Sequence, residues 1–223
     1  MWTRDVLAIL LGYLLGSLPF AYLLTRWRTG LNIREVGEGN VGGRNVWHVV
    51  GPAWGILVTC LDVAKGSAAV LLARVLGASA AGALLAGPAA IVGHAFPLFL
   101  RFRGGKGVST TAGVVLVWMP WSTLTAAVLF GLAQLLFRDF NKSVVVAIVA
   151  GVVLPLAFGY SWMLAAYAAV LFSSLALKKW LDRAHERQVW AASGWSDGGL
   201  PGFHSESPEG EQSEETAEMG KQV

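Results

Sequence analysis

Gly93-His94-Ala95-Phe96-Pro97-Leu98-Phe99-Leu100-Arg101-Phe102-Arg103-Gly104-Gly105-Lys106-Gly107-Val108-Ser109-Thr110 marks the point where one apolar run ends and the next begins. Gly104, Gly105 and Gly107 surround Lys106. Glycine lets backbone N–H groups turn toward a bound anion and lets the anion approach closely. Val108 opens the next predicted helix, whose unbonded N–H groups and positive dipole end face the same loop. Lys106 adds a mobile charge, and Arg101 and Arg103 add two more. The pattern is that of a phosphate-binding loop at a membrane surface.

Outward from this loop the chain is apolar. It is 55% hydrophobic and only 14% charged, too little charge to cover a soluble domain of this length. Apolar runs long enough to cross hydrocarbon recur along it. The expected fold is all-α, a polytopic membrane protein built as a seven-span helical bundle with glycine-rich cytoplasmic loops. The spans are read at 5–25, 47–73, 80–100, 108–119, 121–137, 143–158 and 161–177. Pro120 between Trp118 and Trp121 reads as a turn in an aromatic interface belt, as does the run from Gly159 to Trp162. The first run is not expected to be a cleaved signal, because Asp5 interrupts its basic start and no small-residue cleavage site follows. Cys60 is the one cysteine, so no intrachain disulfide forms, and it is expected to be buried as a small hydrophobe.

Charge fixes the orientation. Fourteen of the seventeen Lys and Arg residues fall in the loops after the first, third and fifth spans and after the last. The positive-inside rule puts these loops in the cytoplasm, with the N-terminus outside and the C-terminus inside the cell (inner) membrane. The net charge of +3 resides in these loops, so it does not indicate nucleic acid. Residues 1–180 form the expected membrane domain. Residues 181–223 form a polar, acidic cytoplasmic tail, richest in Glu after Ser193 and expected to be disordered. His185 and His204 fall in that tail without a motif around them.

A second glycine-rich loop precedes the second span, Asn32-Ile33-Arg34-Glu35-Val36-Gly37-Glu38-Gly39-Asn40-Val41-Gly42-Gly43-Arg44-Asn45. Arg34 and Arg44 flank it, and Asn40 and Asn45 carry amide donors suited to phosphate or carbonyl oxygens. Asp62 and Lys65 sit three apart within the second span, on one helical face. Charges inside a span are costly and usually functional, so the pair either braces the bundle or touches substrate. His94 is either a hydrogen-bonded packing residue or part of the active site. His48 follows the first loop. No metal-ligand spacing appears, and no cofactor is implied.

These blocks resemble the bacterial acyl-phosphate:glycerol-3-phosphate acyltransferases, a family of small seven-span membrane enzymes. The similarity runs from about Leu11 to Gly113. It rests on Gly16-Ser17-Leu18-Pro19-Phe20, on Ile33-Arg34-Glu35 with Gly37 to Asn45, and on Leu61-Asp62-Val63-Ala64-Lys65-Gly66. Gly93 to Pro97 with Gly104 to Val108 completes it. This chain departs from the family pattern at Glu38, where Ser is usual, at Gly43-Arg44, where Ala-Thr is usual, and at His48, where Arg is usual. Its third loop, Arg138-Asp139-Phe140-Asn141-Lys142-Ser143, matches the family loosely. The family's C-terminal His-Arg-Glu-Asn motif is absent, with His185-Glu186-Arg187-Gln188 nearby.

The resemblance implies acyl transfer from acyl phosphate to the 1-hydroxyl of glycerol 3-phosphate, giving lysophosphatidic acid, the first step of phospholipid synthesis. The implied partners are the two substrates, membrane lipid and a soluble enzyme that makes the acyl phosphate. Lys106, His94 and Asn45 are the implied catalytic residues. Arg34, Gly39, Asn40, Gly42, Arg44, His48, Gly104, Gly105, Gly107 and Ser143 are the implied substrate contacts. Two other readings stand beside it: a non-catalytic relative that binds phosphate or lipid, and a small-anion transporter.

Overall fold

The structure is a computed structural model that describes residues 2–193, so His204 and the Glu-rich run that follows it lie outside the described residues. The described residues form nine α-helices: α1 Trp2–Gly16, α2 Phe20–Thr29, α3 Gly43–Val49, α4 Pro52–Val75, α5 Ala80–Ala95, α6 Val108–Trp118, α7 Pro120–Phe137, α8 Phe140–Ala157 and α9 Trp162–Ser193. A short 3₁₀ turn, Leu98–Leu100, follows α5.

Six stretches are long and apolar enough to cross a membrane, and α6 is a shorter apolar helix in the position of the expected fourth span. The seven-span reading therefore holds in outline, with three revisions. The first span is two helices, α1 and α2, because Pro19 cannot donate the N–H that a continuous helix needs there. The second span splits at Gly51, whose φ of 128° precedes Pro52, leaving α3 as a separate helix on the loop side. The last helix does not stop near 177 or 180. It runs to Ser193, so the expected tail begins as helix.

Small residues let the helices meet closely, as packing without a hydrophobic driving force in lipid demands. Gly12 and Gly16 of α1 lie directly on the backbone of Ala86 and Ala90 of α5, where any side chain would collide. Gly66 of α4 and Gly113 of α6 make the same close approach in the other direction, and Ser67 donates to Gly113 O at 2.8 Å. Behind them Val70, Ile91, Val114, Val115, Met119 and Leu171 form a closed apolar core. Cys60 is exposed on the outer face of α4 instead of buried.

Asp62 and Lys65 in the middle of α4 turn inward, while Arg74 in its last turn is exposed. Lys65 Nζ lies 2.8 Å from Asp62 Oδ1 and donates to Leu18 O at 3.0 Å, the carbonyl freed by the break between α1 and α2. His94 Nδ1 of α5 lies 3.6 Å from the same Asp62 oxygen. All three side chains are buried. The pair thus braces the bundle and holds the broken first span against α4 and α5. Removing one partner of such a pair leaves an uncompensated buried charge. Lys65→Met is expected to lower stability by about 3–5 kcal/mol, with Asp62→Leu/Lys65→Met recovering much of it. Thermal unfolding in detergent micelles measures both, and equal loss in single and double variants would refute the brace.

Candidate active site

The loop between α2 and α3 has no regular structure, yet its core is buried. One side chain accounts for that. Asn45, in the first turn of α3, is fully buried and donates through Nδ2 to Ile33 O at 2.9 Å, Val36 O at 3.1 Å and Asn40 O at 2.9 Å. Its Oδ1 accepts the Glu38 N–H at 2.8 Å. Gly37, at φ 59°, packs against that amide so tightly that a Cβ would overlap it. Asn45 is therefore spent on the shape of the loop, and its amide does not point at a ligand.

The Lys106 loop is fastened to the end of α5. Gly104 N donates to Ala95 O at 3.2 Å and Gly105 N to His94 O at 3.1 Å. A side chain at Gly105 would overlap Val41 O and His94 Nε2, so the two glycine loops touch here. Gly107, at φ 89°, turns the chain into α6. Arg34 ties the loops together: Nη1 donates to Leu100 O at 3.2 Å, Nε to Asn32 Oδ1 at 3.2 Å, and the guanidinium covers the Tyr22 ring.

The end of α9 closes over both loops. His185 Nε2 lies 3.1 Å from Arg34 O, and Trp190 Nε1 donates to Glu38 O at 3.3 Å. Val189 packs on Gly39. Glu186 Oε1 lies 2.8 Å from Lys106 Nζ. Together Glu38, Arg44, Lys106, Asn141, Lys179, Glu186 and Trp190 line a cleft of about 50 Å³. Arg44 Nε lies 2.9 Å from Glu38 Oε1 and its guanidinium rests on the Phe140 ring at 4.7 Å. His48 Nε2 is 3.9 Å from the same Glu38 oxygen. Burial, and then the Arg44 charge, hold His48 below its ordinary pKa.

The structure sorts the sequence candidates. Lys106 and Arg44 share the cleft, with Gly104, Gly105 and Gly107 shaping the loop that carries Lys106. Gly39, Asn40 and Gly42 belong to the loop wall, and Asn40 Oδ1 is buried without a hydrogen-bond partner among the described residues. Arg101 and Arg103 are exposed and do not line the cleft. Ser143 is buried and donates back to Asp139 O at 2.8 Å, so it belongs to the first turn of α8. His94 lines a separate, smaller cavity with Leu18, Val41, Asp62 and Lys65. The α9 residues Lys179, His185, Glu186 and Trp190 were not legible as site residues. Their sequence signals are the absence of any helix breaker before Ser193 and the run His185-Glu186-Arg187-Gln188, which lies near the place of the family's C-terminal motif without matching it.

Fold and cleft together define a polytopic membrane protein with a cation-rich cleft where its loops meet its last helix. A family model described as glycerol-3-phosphate acyltransferase matches residues 6–187. The glycerol-3-phosphate acyltransferase 1 of Deinococcus radiodurans is 42% identical over 194 residues, 86% of this chain and 96% of that protein. The glycerol-3-phosphate acyltransferase 5 of Dehalococcoides mccartyi is 40% identical over 158 residues, 70% of this chain and 65% of that protein's length. Among solved structures, PlsY (YgiH), an integral membrane glycerol 3-phosphate acyltransferase in its glycerol 3-phosphate form, superposes with a TM-score of 0.72. It is 28% identical and covers 85% of this chain and 92% of that one. The chain belongs to the glycerol-3-phosphate acyltransferase family.

Asn45→Ala strands one buried N–H and three carbonyls and is expected to cost about 3 kcal/mol. It is also expected to open the loop at 32–42 to protease. Unchanged unfolding and cleavage would show that Asn45 does not hold the loop.

Proposed function

We propose that this chain transfers a fatty acyl group from acyl phosphate to the 1-hydroxyl of glycerol 3-phosphate, releasing phosphate and lysophosphatidic acid. The observation that carries this reading is the convergence of Arg44, Lys106 and Lys179 on one cleft in a chain of this family. The solved PlsY forms support it, since they are described with glycerol 3-phosphate and with lysophosphatidic acid.

The reaction brings two phosphate-bearing anions together, and their repulsion must be offset. Lys106 and Arg44 do this with charge-assisted hydrogen bonds. Each now faces a carboxylate, so the entering phosphate takes the place of Glu186 at Lys106. An acyl phosphate is a mixed anhydride and already activated, so no covalent enzyme intermediate is required. The glycerol oxygen attacks the carbonyl carbon, the bond from that carbon to the phosphate oxygen breaks, and inorganic phosphate leaves. The hydroxyl proton passes to the departing phosphate, because His94 lies in a different cavity from Lys106. Holding the hydroxyl against the carbonyl supplies roughly 7–11 kcal/mol of the barrier reduction. With the N–H groups of Gly104 and Gly105 committed to Ala95 O and His94 O, those of Lys106 and Gly107 stabilise the developing oxyanion.

The acyl chain lies among the apolar helices, and the product leaves into lipid. The cleft end of the bundle faces the cytoplasmic side of the cell membrane, a reading that the distribution of Lys and Arg supports. A soluble enzyme that makes acyl phosphate supplies the donor from that side.

Purified protein in lipid, given palmitoyl phosphate and glycerol 3-phosphate, is expected to release phosphate only when both are present. Lys106→Ala is expected to lower that rate by about 10²-fold. No release from folded protein, beside an active family member, would make the chain a binding protein instead of an enzyme.

A further inference from the structure

Glu38, Arg44 and His48 are the positions at which the first loop and the start of α3 depart from the family pattern in charge. In the folded chain they form one contact group. Glu38 Oε1 lies 2.9 Å from Arg44 Nε and 3.9 Å from His48 Nε2. Glu38 is 4% exposed, and its backbone is fixed from both sides. Its N–H goes to Asn45 Oδ1, and its carbonyl accepts from Trp190 Nε1. A carboxylate held this firmly is a poor neighbour for a phosphate unless its charge is already committed. Here it is committed to Arg44.

The ion pair is made at the Nε of the guanidinium. Arg presents five N–H donors in a rigid fork, so an edge held by a carboxylate leaves others for a phosphate. The Phe140 ring supports the guanidinium plane from below at 4.7 Å. Arg44 is thereby fixed in two directions on the wall of the cleft that contains Lys106. Position 48 lies one helical turn further along α3, so a cation lost at 48 and gained at 44 stays on one face.

We propose that Glu38 is a positioning residue that aims Arg44 at the phosphate of glycerol 3-phosphate, and that Glu38, Arg44 and His48 act as one unit in place of the Ser, Thr and Arg usual in the family. This rests on the acyltransferase reading for its ligand. It predicts strong coupling: each member changed alone damages binding, and the three changed together restore it.

The test compares wild type, Glu38→Ser, Arg44→Thr and the triple variant E38S/R44T/H48R. Each is assayed as the full chain in lipid for the KM of glycerol 3-phosphate and in detergent for its binding by calorimetry. Arg44→Thr is expected to raise KM about tenfold, and Glu38→Ser about fivefold, with kcat changing less than KM. The triple variant is expected to return to within about threefold of wild type. A merely structural role for Glu38 would lower kcat and thermal stability without a selective rise in KM. A KM unmoved by Arg44→Thr, or a triple variant as weak as Arg44→Thr alone, overturns the proposal while leaving the enzyme reading intact. Wild type that binds glycerol 3-phosphate through Arg44 without turnover would instead keep the proposal and overturn the enzyme reading. Wild type that neither binds nor turns over overturns both.

Discussion

The buried contact between Asp62 and Lys65 organises this molecule. In hydrocarbon no water can solvate an ammonium, a carboxylate or a freed carbonyl, so each must find its partner inside the protein. Lys65 satisfies both Asp62 and the Leu18 carbonyl. Asp62 also faces His94, and His94 is the residue on which Gly105 of the Lys106 loop rests. One pair of charges therefore links the break in the first span, the second span and the base of the functional loop. Pro19 creates the orphan carbonyl and Lys65 resolves it, which explains why a costly charge is placed at that depth.

Above that brace the site is a set of loops held by their own polar groups. Asn45 gathers the first loop, Arg34 fastens it to the second, and the end of α9 covers both. The cleft is almost neutralised as it stands, because Glu186 faces Lys106 and Glu38 faces Arg44. The two carboxylates differ in what holds them. Glu38 is anchored by its backbone at both ends within a packed loop. Glu186 sits on a helix face beside the exposed Lys179 and can yield Lys106 to a stronger anion. Under the proposed reaction, exchange of a single carboxylate for a phosphate dianion would keep the half-buried Lys106 and Arg44 paired in the empty site and in the loaded one.

The membrane class and most spans were legible in the sequence because apolar runs, Pro120 and the basic loops report directly on the bilayer. The two glycine loops were legible because glycine at that density around Lys106, Arg44 and Asn40 has little other use. Asn45 was legible as important but not as to its role, since an amide that binds a phosphate and one that binds its own loop have the same sequence. The reach of α9 was missed because Asp182, Arg183, Glu186 and Arg187 lower its hydropathy, although Lys178 and Asp182 pair at helical spacing and nothing in between breaks a helix. With that end read as tail, Glu186 and His185 were set apart from the site they complete. Cys60 faces outward because in lipid an apolar residue gains nothing by turning inward.

The most direct measurement is a structure of the full chain in lipid with glycerol 3-phosphate bound. The account predicts the phosphate in the cleft, within hydrogen-bond distance of both Lys106 Nζ and Arg44, with Glu186 withdrawn from Lys106 and Glu38 still on Arg44. A phosphate held elsewhere, or one that binds while the Lys106 to Glu186 contact stays closed, would contradict it.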